Sequence, residues 1–188
     1  MPIWIWIFLI LAGGLFGLKI IYVLSTALVL PITQGALYVS TSRKKITAFI
    51  DAVPMKTDQK LVDLGCGDGR VLREARRRYG VRTIGYEINP LAYLKARFFS
   101  FGYSNIKIKY QDFWKADLSG ADVVFCYLYP DVMKKLAAKL KSGLKPGAIV
   151  VSSNFPLPEF LPGKILRLPG SMHNDPLYVY QIGPECSG

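Results

Sequence analysis

Residues 60–70, Lys-Leu-Val-Asp-Leu-Gly-Cys-Gly-Asp-Gly-Arg, constrain this chain more than any other stretch. Leu61, Val62 and Leu64 form the short apolar run expected of a buried parallel strand. The run breaks into Gly65, Gly67 and Gly69, and a helical pattern begins at once, with Val71, Leu72, Ala75 and Tyr79 on one side. A strand feeding a glycine turn and then a helix brings backbone N–H groups and a positive helix end against a ligand. Dinucleotide folds require G-x-G-x-x-G. Here the third glycine comes one residue early and Arg70 stands in its place, which disfavours an oxidoreductase.

Downstream, Val81 to Tyr86 forms a second strand ending at Glu87. This acid lies 20 residues beyond Gly67, where α/β nucleotide folds place a carboxylate for ribose hydroxyls. Two acceptor oxygens suit two vicinal O–H donors. Asn89 and Pro90 fit the cap and first turn of a helix. Ile106 to Tyr110 is a third strand, followed by Asp112, Phe113 and Trp114. An acid beside an aromatic ring suits an adenine amino group and its base. The fourth strand, Ala121 to Leu128, runs into Tyr129-Pro130-Asp131. Its helix turns Met133, Leu136, Ala137 and Leu140 inward and Lys134, Lys135, Lys139 and Lys141 outward. Gly147 to Asn154 is a fifth strand, and Ile165–Leu168 with Leu177–Ile182 close as an antiparallel pair. The pattern predicts an α/β fold, a Rossmann-like seven-stranded doubly wound sheet.

Ahead of this domain the first 42 residues contain a single charge, Lys19. Ile3 to Leu30 as one helix would span ~42 Å, against ~30 Å of hydrocarbon. One transmembrane helix is expected, with Lys19 snorkelling and Trp4, Trp6 and Tyr22 as interfacial aromatics. A hairpin at Gly13-Gly14 is too short. A signal peptide would be shorter and begin with a positive region. Gly13 and Gly17 have the spacing that seats a helix dimer. Arg43, Lys44 and Lys45 form the first basic cluster and place the remainder of the chain on the cytoplasmic side. The expected division is an anchor over 1–30, a connector over 31–42, the catalytic domain over 43–183 and a tail over 184–188. Thr41 or Ser42 can cap a helix carrying Ile46, Phe49, Ile50 and Val53 on one face.

Cys66, Cys126 and Cys186 lack metal-ligand spacing, so no metal is expected. His173 sits in a polar loop without a nucleophile or ligand set around it. The net charge of +11 suits anionic lipid, nucleic acid or an acidic protein, or simply solvates the surface. The basic side of the glycine-loop helix, Arg73, Arg76 and Arg77, is expected to face solvent.

Asp-x-Gly-x-Gly-x-Gly resembles the loop of class I methyltransferases that bind S-adenosylmethionine. Several further stretches resemble one branch of them: the membrane-anchored protein-lysine N-methyltransferases acting on the ATP synthase c-subunit and the adenine nucleotide translocase. These stretches are residues 35–42, 62–70, 85–90, 112–114 and 153–156, together with the amino-terminal anchor. The resemblance implies that Asp63, Gly65, Gly67 and Gly69 surround the amino-acid end of the cofactor, flanked by Asp68 and Asn89. It further implies Glu87 at ribose, and Asp112 with Phe113 at adenine. The fourth strand ends Tyr127-Leu-Tyr129-Pro130, which matches no motif of the family.

Ligands of open parallel sheets sit beyond the carboxyl ends of the strands. Tyr127 and Tyr129 are therefore the candidates to line an acceptor pocket and orient an amine, with Pro130 and Asn154 beside them as substrate residues and Phe155 on the opposite wall. Ordinary sheet-edge packing accounts for these aromatics equally well. Enzymes acting on adenine or glutamine would show Asn/Asp-Pro-Pro-Tyr after the fourth strand, and that motif is absent there. The expected function is transfer of methyl to the side-chain amine of a cytoplasm-facing lysine in a membrane protein. A eukaryotic source would put it in the mitochondrial inner membrane. RNA, a lipid amine, or a non-catalytic cofactor-binding module remain as alternatives.

Overall fold

The computed structural model describes residues 2–29, 40–168 and 175–183. Most of the connector expected over 31–42, together with His173, Cys186 and the tail over 184–188, lies outside the described residues, as does most of the 35–42 stretch. The chain divides into two compact units, residues 1–38 and 39–188.

The described residues of the first unit form one helix, α1 (Ile3–Val29), continuous through Gly13, Gly14 and Gly17. Its segment Ile3–Leu24 is long and apolar enough to cross a membrane. A Cβ added at any of these glycines would meet nothing within 4 Å.

The second unit is built on a seven-stranded sheet. Its elements are α2 (Arg43–Ala52), β1 (Lys60–Leu64), α3 (Arg70–Tyr79), β2 (Arg82–Glu87), α4 (Pro90–Phe99) and β3 (Ile106–Tyr110). A short 3-10 turn over Phe113–Lys115 comes next, then β4 (Val123–Cys126), α5 (Pro130–Gly143), β5 (Ile149–Ser153), β6 (Lys164–Leu166) and β7 (Leu177–Gln181). The strand order is β3-β2-β1-β4-β5-β7-β6. β1 to β5 pair in parallel, and β7 enters antiparallel between β5 and β6. This is the expected doubly wound sheet with its closing antiparallel pair.

Strand alternation sorts the core into two layers. Leu61, Val123, Phe125 and Val151 face α2 and α3, while Val62, Leu64, Val124 and Val150 face α5. The inward residues expected of α5, Met133, Leu136, Ala137 and Leu140, are all buried. Helix α2 docks through Phe49, whose ring lies 4.8 Å from that of Phe125 on β4.

Ser42 caps α2, its side chain accepting from the Lys45 N–H, and the helix stops before Pro54. Arg76, expected to face solvent, is half-buried, and two further basic positions on α2 and α3 depart from expectation. Arg43 and Lys44 are exposed, but Lys45 is buried. Arg77 is exposed, whereas Arg73 is half-buried and donates back to the Asp68 carbonyl. In both cases the long side chain finds buried acceptors within reach, which offsets the loss of water.

Candidate active site

The sheet reverses its winding between β1 and β4, which opens a crevice at the carboxyl ends of these strands. The glycine loop fills the β1 side of it. Gly65, Gly67 and Gly69 all have positive φ, at 79°, 56° and 76°. Alternate residues in the left-handed region require glycine. A Cβ on Gly69 would lie 3.3 Å from the Arg73 guanidinium and 3.4 Å from Ala96, so this third glycine also serves packing of α3 against α4. Gly85, on β2 beneath the loop, is the tightest position. A Cβ there would lie 2.6 Å from both Cys66 Sγ and Leu72 Cδ1. Sequence reasoning gave Gly85 no role, since a close approach across strands leaves no local signal.

Glu87 is 8% exposed and works as a hub. Its Oε2 accepts from the Gly67 N–H at 2.8 Å, and Oε1 accepts from Ile88 and Asn89 at 2.9 and 2.8 Å. Burial raises its carboxyl above the usual range, and the three N–H donors restrain that rise. Asp63 is 3% exposed, and no described residue hydrogen-bonds its carboxyl. Burial, then the charges of Glu87 and Asp68, push it well above the ordinary aspartate value. Burial, then the charges of Asp63 and Glu87, hold the Cys66 thiol far up. A buried carboxyl beside a loop of outward-turned backbone suits a cationic amino group, and the Glu87 lone pairs left over suit ribose hydroxyls. The residues thus fit S-adenosylmethionine.

The other expected cofactor residues hold local structure as well. Asp68 is paired with Arg70, the closest contact being 2.6 Å between Nη2 and Oδ2. Burial works to raise the Asp68 carboxyl, but Arg70 outweighs it and holds it low. Asn89 Oδ1 caps α4 by accepting from Leu91 and Ala92 at 3.0 and 3.1 Å. Asp112 Oδ1 caps the 3-10 turn through the Trp114 N–H at 3.0 Å, which sets Phe113 beside Trp114 with ring centroids 4.7 Å apart. Lys139, expected outward, instead donates to the Trp114 and Ala116 carbonyls and fixes the end of this turn.

The expected substrate residues divide. Tyr127 and Asn154 come together, Asn154 Nδ2 donating to the Tyr127 hydroxyl at 3.3 Å. Phe155 packs in the α5 layer, whereas Tyr127 packs in the α2–α3 layer. Tyr129 and Pro130 are exposed at the start of α5. One residue missed in the sequence joins the pair. Lys45 Nζ donates to Asn154 Oδ1 at 2.9 Å and lies 4.4 Å over the Tyr127 ring. The signal for it was its spacing: Lys45 is four residues before Phe49, on the apolar face of α2.

Residues 63–164 match the profile of the ANTKMT methyltransferase domain. A protein-lysine N-methyltransferase of Saccharolobus islandicus is 31% identical over 78% of this chain and 93% of its own length. The mouse adenine nucleotide translocase lysine N-methyltransferase is 34% identical over 84% of this chain and 69% of its own. The human ATP synthase c-subunit lysine N-methyltransferase is 30% identical over 85% and 70%. Among solved structures, a protein described as an RNA methyltransferase from Salinibacter ruber, bound to S-adenosyl-L-homocysteine, superposes with a TM-score of 0.73. It is 32% identical and covers 78% of this chain and 95% of its own. The glycine loop, the Glu87 hub and these relatives agree, and the chain belongs to the ANTKMT family of S-adenosylmethionine-dependent protein-lysine N-methyltransferases.

Proposed function

We propose that this enzyme methylates a lysine of a membrane protein near the cytoplasmic face of the bilayer that holds its own amino-terminal helix. The mouse and human relatives are named for a translocase and the ATP synthase c-subunit, and α1 gives this chain a means of meeting such substrates first. The exposed Arg43 and Lys44 support a cytoplasmic position for the second unit. A eukaryotic source would make the membrane the mitochondrial inner one.

The observation that carries the reading is Tyr127 at the end of β4, half-buried, hydrogen-bonded to Asn154 and one strand away from the glycine loop. When bound, S-adenosylmethionine supplies a methyl group already activated by its sulfonium. The chain then has to hold an acceptor nitrogen in line, which is where orientation lowers a barrier most. Asp63 takes the cofactor's amino group, Glu87 its ribose, and Asp112 with Phe113 its adenine. Gly65 and Gly67 give the backbone close access. Tyr127 offers its ring as the apolar side of the acceptor pocket, where burial disfavours an ammonium and favours the nucleophilic amine. Its hydroxyl oxygen retains a lone pair to accept one amine N–H. Tyr129 and Pro130 line the outer mouth.

A second reading has two observations in its favour, the solved relative described as an RNA methyltransferase and the net charge of +11. One experiment separates the two. Labelled methyl from S-adenosylmethionine is followed into native membranes with wild type and Glu87→Ala, and the products are split by protease, nuclease and lipid extraction. Glu87-dependent label released by protease, mapped to lysine by mass spectrometry, is the expected result. Label in RNA or lipid overturns the acceptor, and no label in any fraction despite cofactor binding favours a non-catalytic module.

A further inference from the structure

We propose that Lys45 is a positioning residue for methyl transfer, fixing the polarity and placement of the Asn154–Tyr127 pair. The inference rests on the proposed function, in which Tyr127 lines the acceptor pocket.

Lys45 is 4% exposed, although it belongs to a basic run whose two preceding members face water. Burying an ammonium is costly, and an apolar side chain on this face of α2 would pack without that cost. Its surroundings are specific. Asp175 Oδ2 lies 3.1 Å from Nζ, Asn154 Oδ1 lies 2.9 Å away, and the Tyr127 ring stands 4.4 Å below. Asn154 comes just after β5, Tyr127 just after β4 and Asp175 just before β7, so all three gather at the carboxyl edge of the parallel strands.

An ammonium can only donate, so it decides which way the Asn154 amide turns. Oδ1 must face Lys45, which leaves Nδ2 to face Tyr127, and the phenol oxygen must then accept. The order of donation runs from Lys45 through Asn154 to Tyr127. Without Lys45 the amide is free to turn over, and the hydroxyl becomes the donor to it. The backbone supports the same conclusion. Asn154 is one of two non-glycine residues with positive φ among the described residues, at 72°, and its N–H is held by the Pro176 carbonyl at 2.8 Å. An asparagine kept in a left-handed conformation, with both ends of its amide engaged, is a placed group. The methyl acceptor thus meets a Tyr127 oxygen whose position and open lone pair are fixed beforehand.

The test uses the full chain in detergent. Initial rates of labelled methyl transfer into protein of native membranes are measured over a range of membrane concentration, with S-adenosylhomocysteine affinity by calorimetry. Lys45→Met removes the donor and keeps the volume. The expected result is a fall in kcat of about tenfold or more, with S-adenosylhomocysteine affinity and apparent KM within about threefold of wild type. Lys45→Arg, which keeps a donor, recovers part of the rate. If Lys45→Met does not fold, Asn154→Asp gives the answer, since its carboxylate still accepts from Lys45 but cannot donate to Tyr127. The same kcat loss is expected there. Unchanged kcat in these variants overturns the proposal. So does a loss matched by equal loss of cofactor affinity and not relieved by arginine, the signature of a merely structural ion pair. Absence of transfer into protein by wild type overturns the acceptor reading itself, and the role of Lys45 with it.

Discussion

The Gly67 N–H donates to Glu87 Oε2 at 2.8 Å, so the glycine loop after β1 is tied to the carboxylate that ends β2. The group expected to bind ribose also shapes the loop that faces the rest of the cofactor. Glu87→Gln exposes this double role. Whichever way the amide turns, its NH2 faces an N–H donor, either that of Gly67 or those of Ile88 and Asn89. A hydrogen bond to a charged group contributes about 1.5–3 kcal/mol, so cofactor affinity should fall ~10- to 100-fold. Calorimetry with S-adenosylhomocysteine measures it, and an unchanged Kd would sink the hub assignment.

Asp63 gives a pH-dependent prediction. Burial first, then Glu87 and Asp68, raise its folded-state pKa above the unfolded value. The folded chain then holds its proton more tightly than the unfolded chain, so stability is full below the ordinary aspartate range and declines as pH rises from there. Asp63→Asn removes that decline. At pH 7–8 the cofactor-free variant should melt a few degrees above wild type, in the way functional sites trade stability. The gain should vanish in mild acid, below the unfolded aspartate pKa. The same variant should bind cofactor more weakly. Melting curves at several pH values decide it, and a gain that grows toward acid would reverse the sign.

Gly85→Ala tests the close approach of β2 and the loop. The added methyl meets Cys66 Sγ and Leu72 Cδ1 at 2.6 Å and the Cys66 Cβ at 2.8 Å. Overpacking of this kind costs about 1–3 kcal/mol, and relief must come by pushing residue 66 and the loop outward. A lowered melting temperature together with weakened cofactor binding is expected. A drop in one without the other would mean the strain is absorbed by Leu72 alone.

Asp112 separates capping from adenine recognition. Asp112→Asn keeps the oxygen that caps the Trp114 N–H but turns an NH2 toward the place of the adenine amino group. It should melt like wild type and bind cofactor less well. Asp112→Ala should lose both, with about 1 kcal/mol of stability from the cap. Equal cofactor affinity in wild type and the asparagine variant would remove Asp112 from the adenine site.

The fold was legible because its signals are local. β1, β4 and β5 announced themselves as short apolar runs and β3 by its Ile-Lys alternation, Asn89-Pro90 marked a helix start, and three alternate glycines marked the cofactor turn. The substrate side was harder for a physical reason. Lys45, Tyr127, Asn154 and Asp175 come from four separate segments, and only the folded sheet brings them within reach of one another. Reading Arg43, Lys44 and Lys45 as one charge cluster hid the member that turns inward. Phe155 and Tyr127 pack in opposite layers of the sheet, a separation that the linear sequence does not display. Beyond the end of β5, where Asn154 takes a positive φ, strand alternation no longer fixes the direction of a side chain.

The buried Asp63 carboxyl makes this chain dependent on what it binds. Ligand that favours the folded form adds about 2.7 kcal/mol at a hundredfold excess over Kd, while proteases act on molecules that open. The lifetime of the enzyme should therefore follow the supply of methyl donor. Cells starved of S-adenosylmethionine would clear this protein sooner, and methylation capacity would shrink by turnover as well as by lack of substrate.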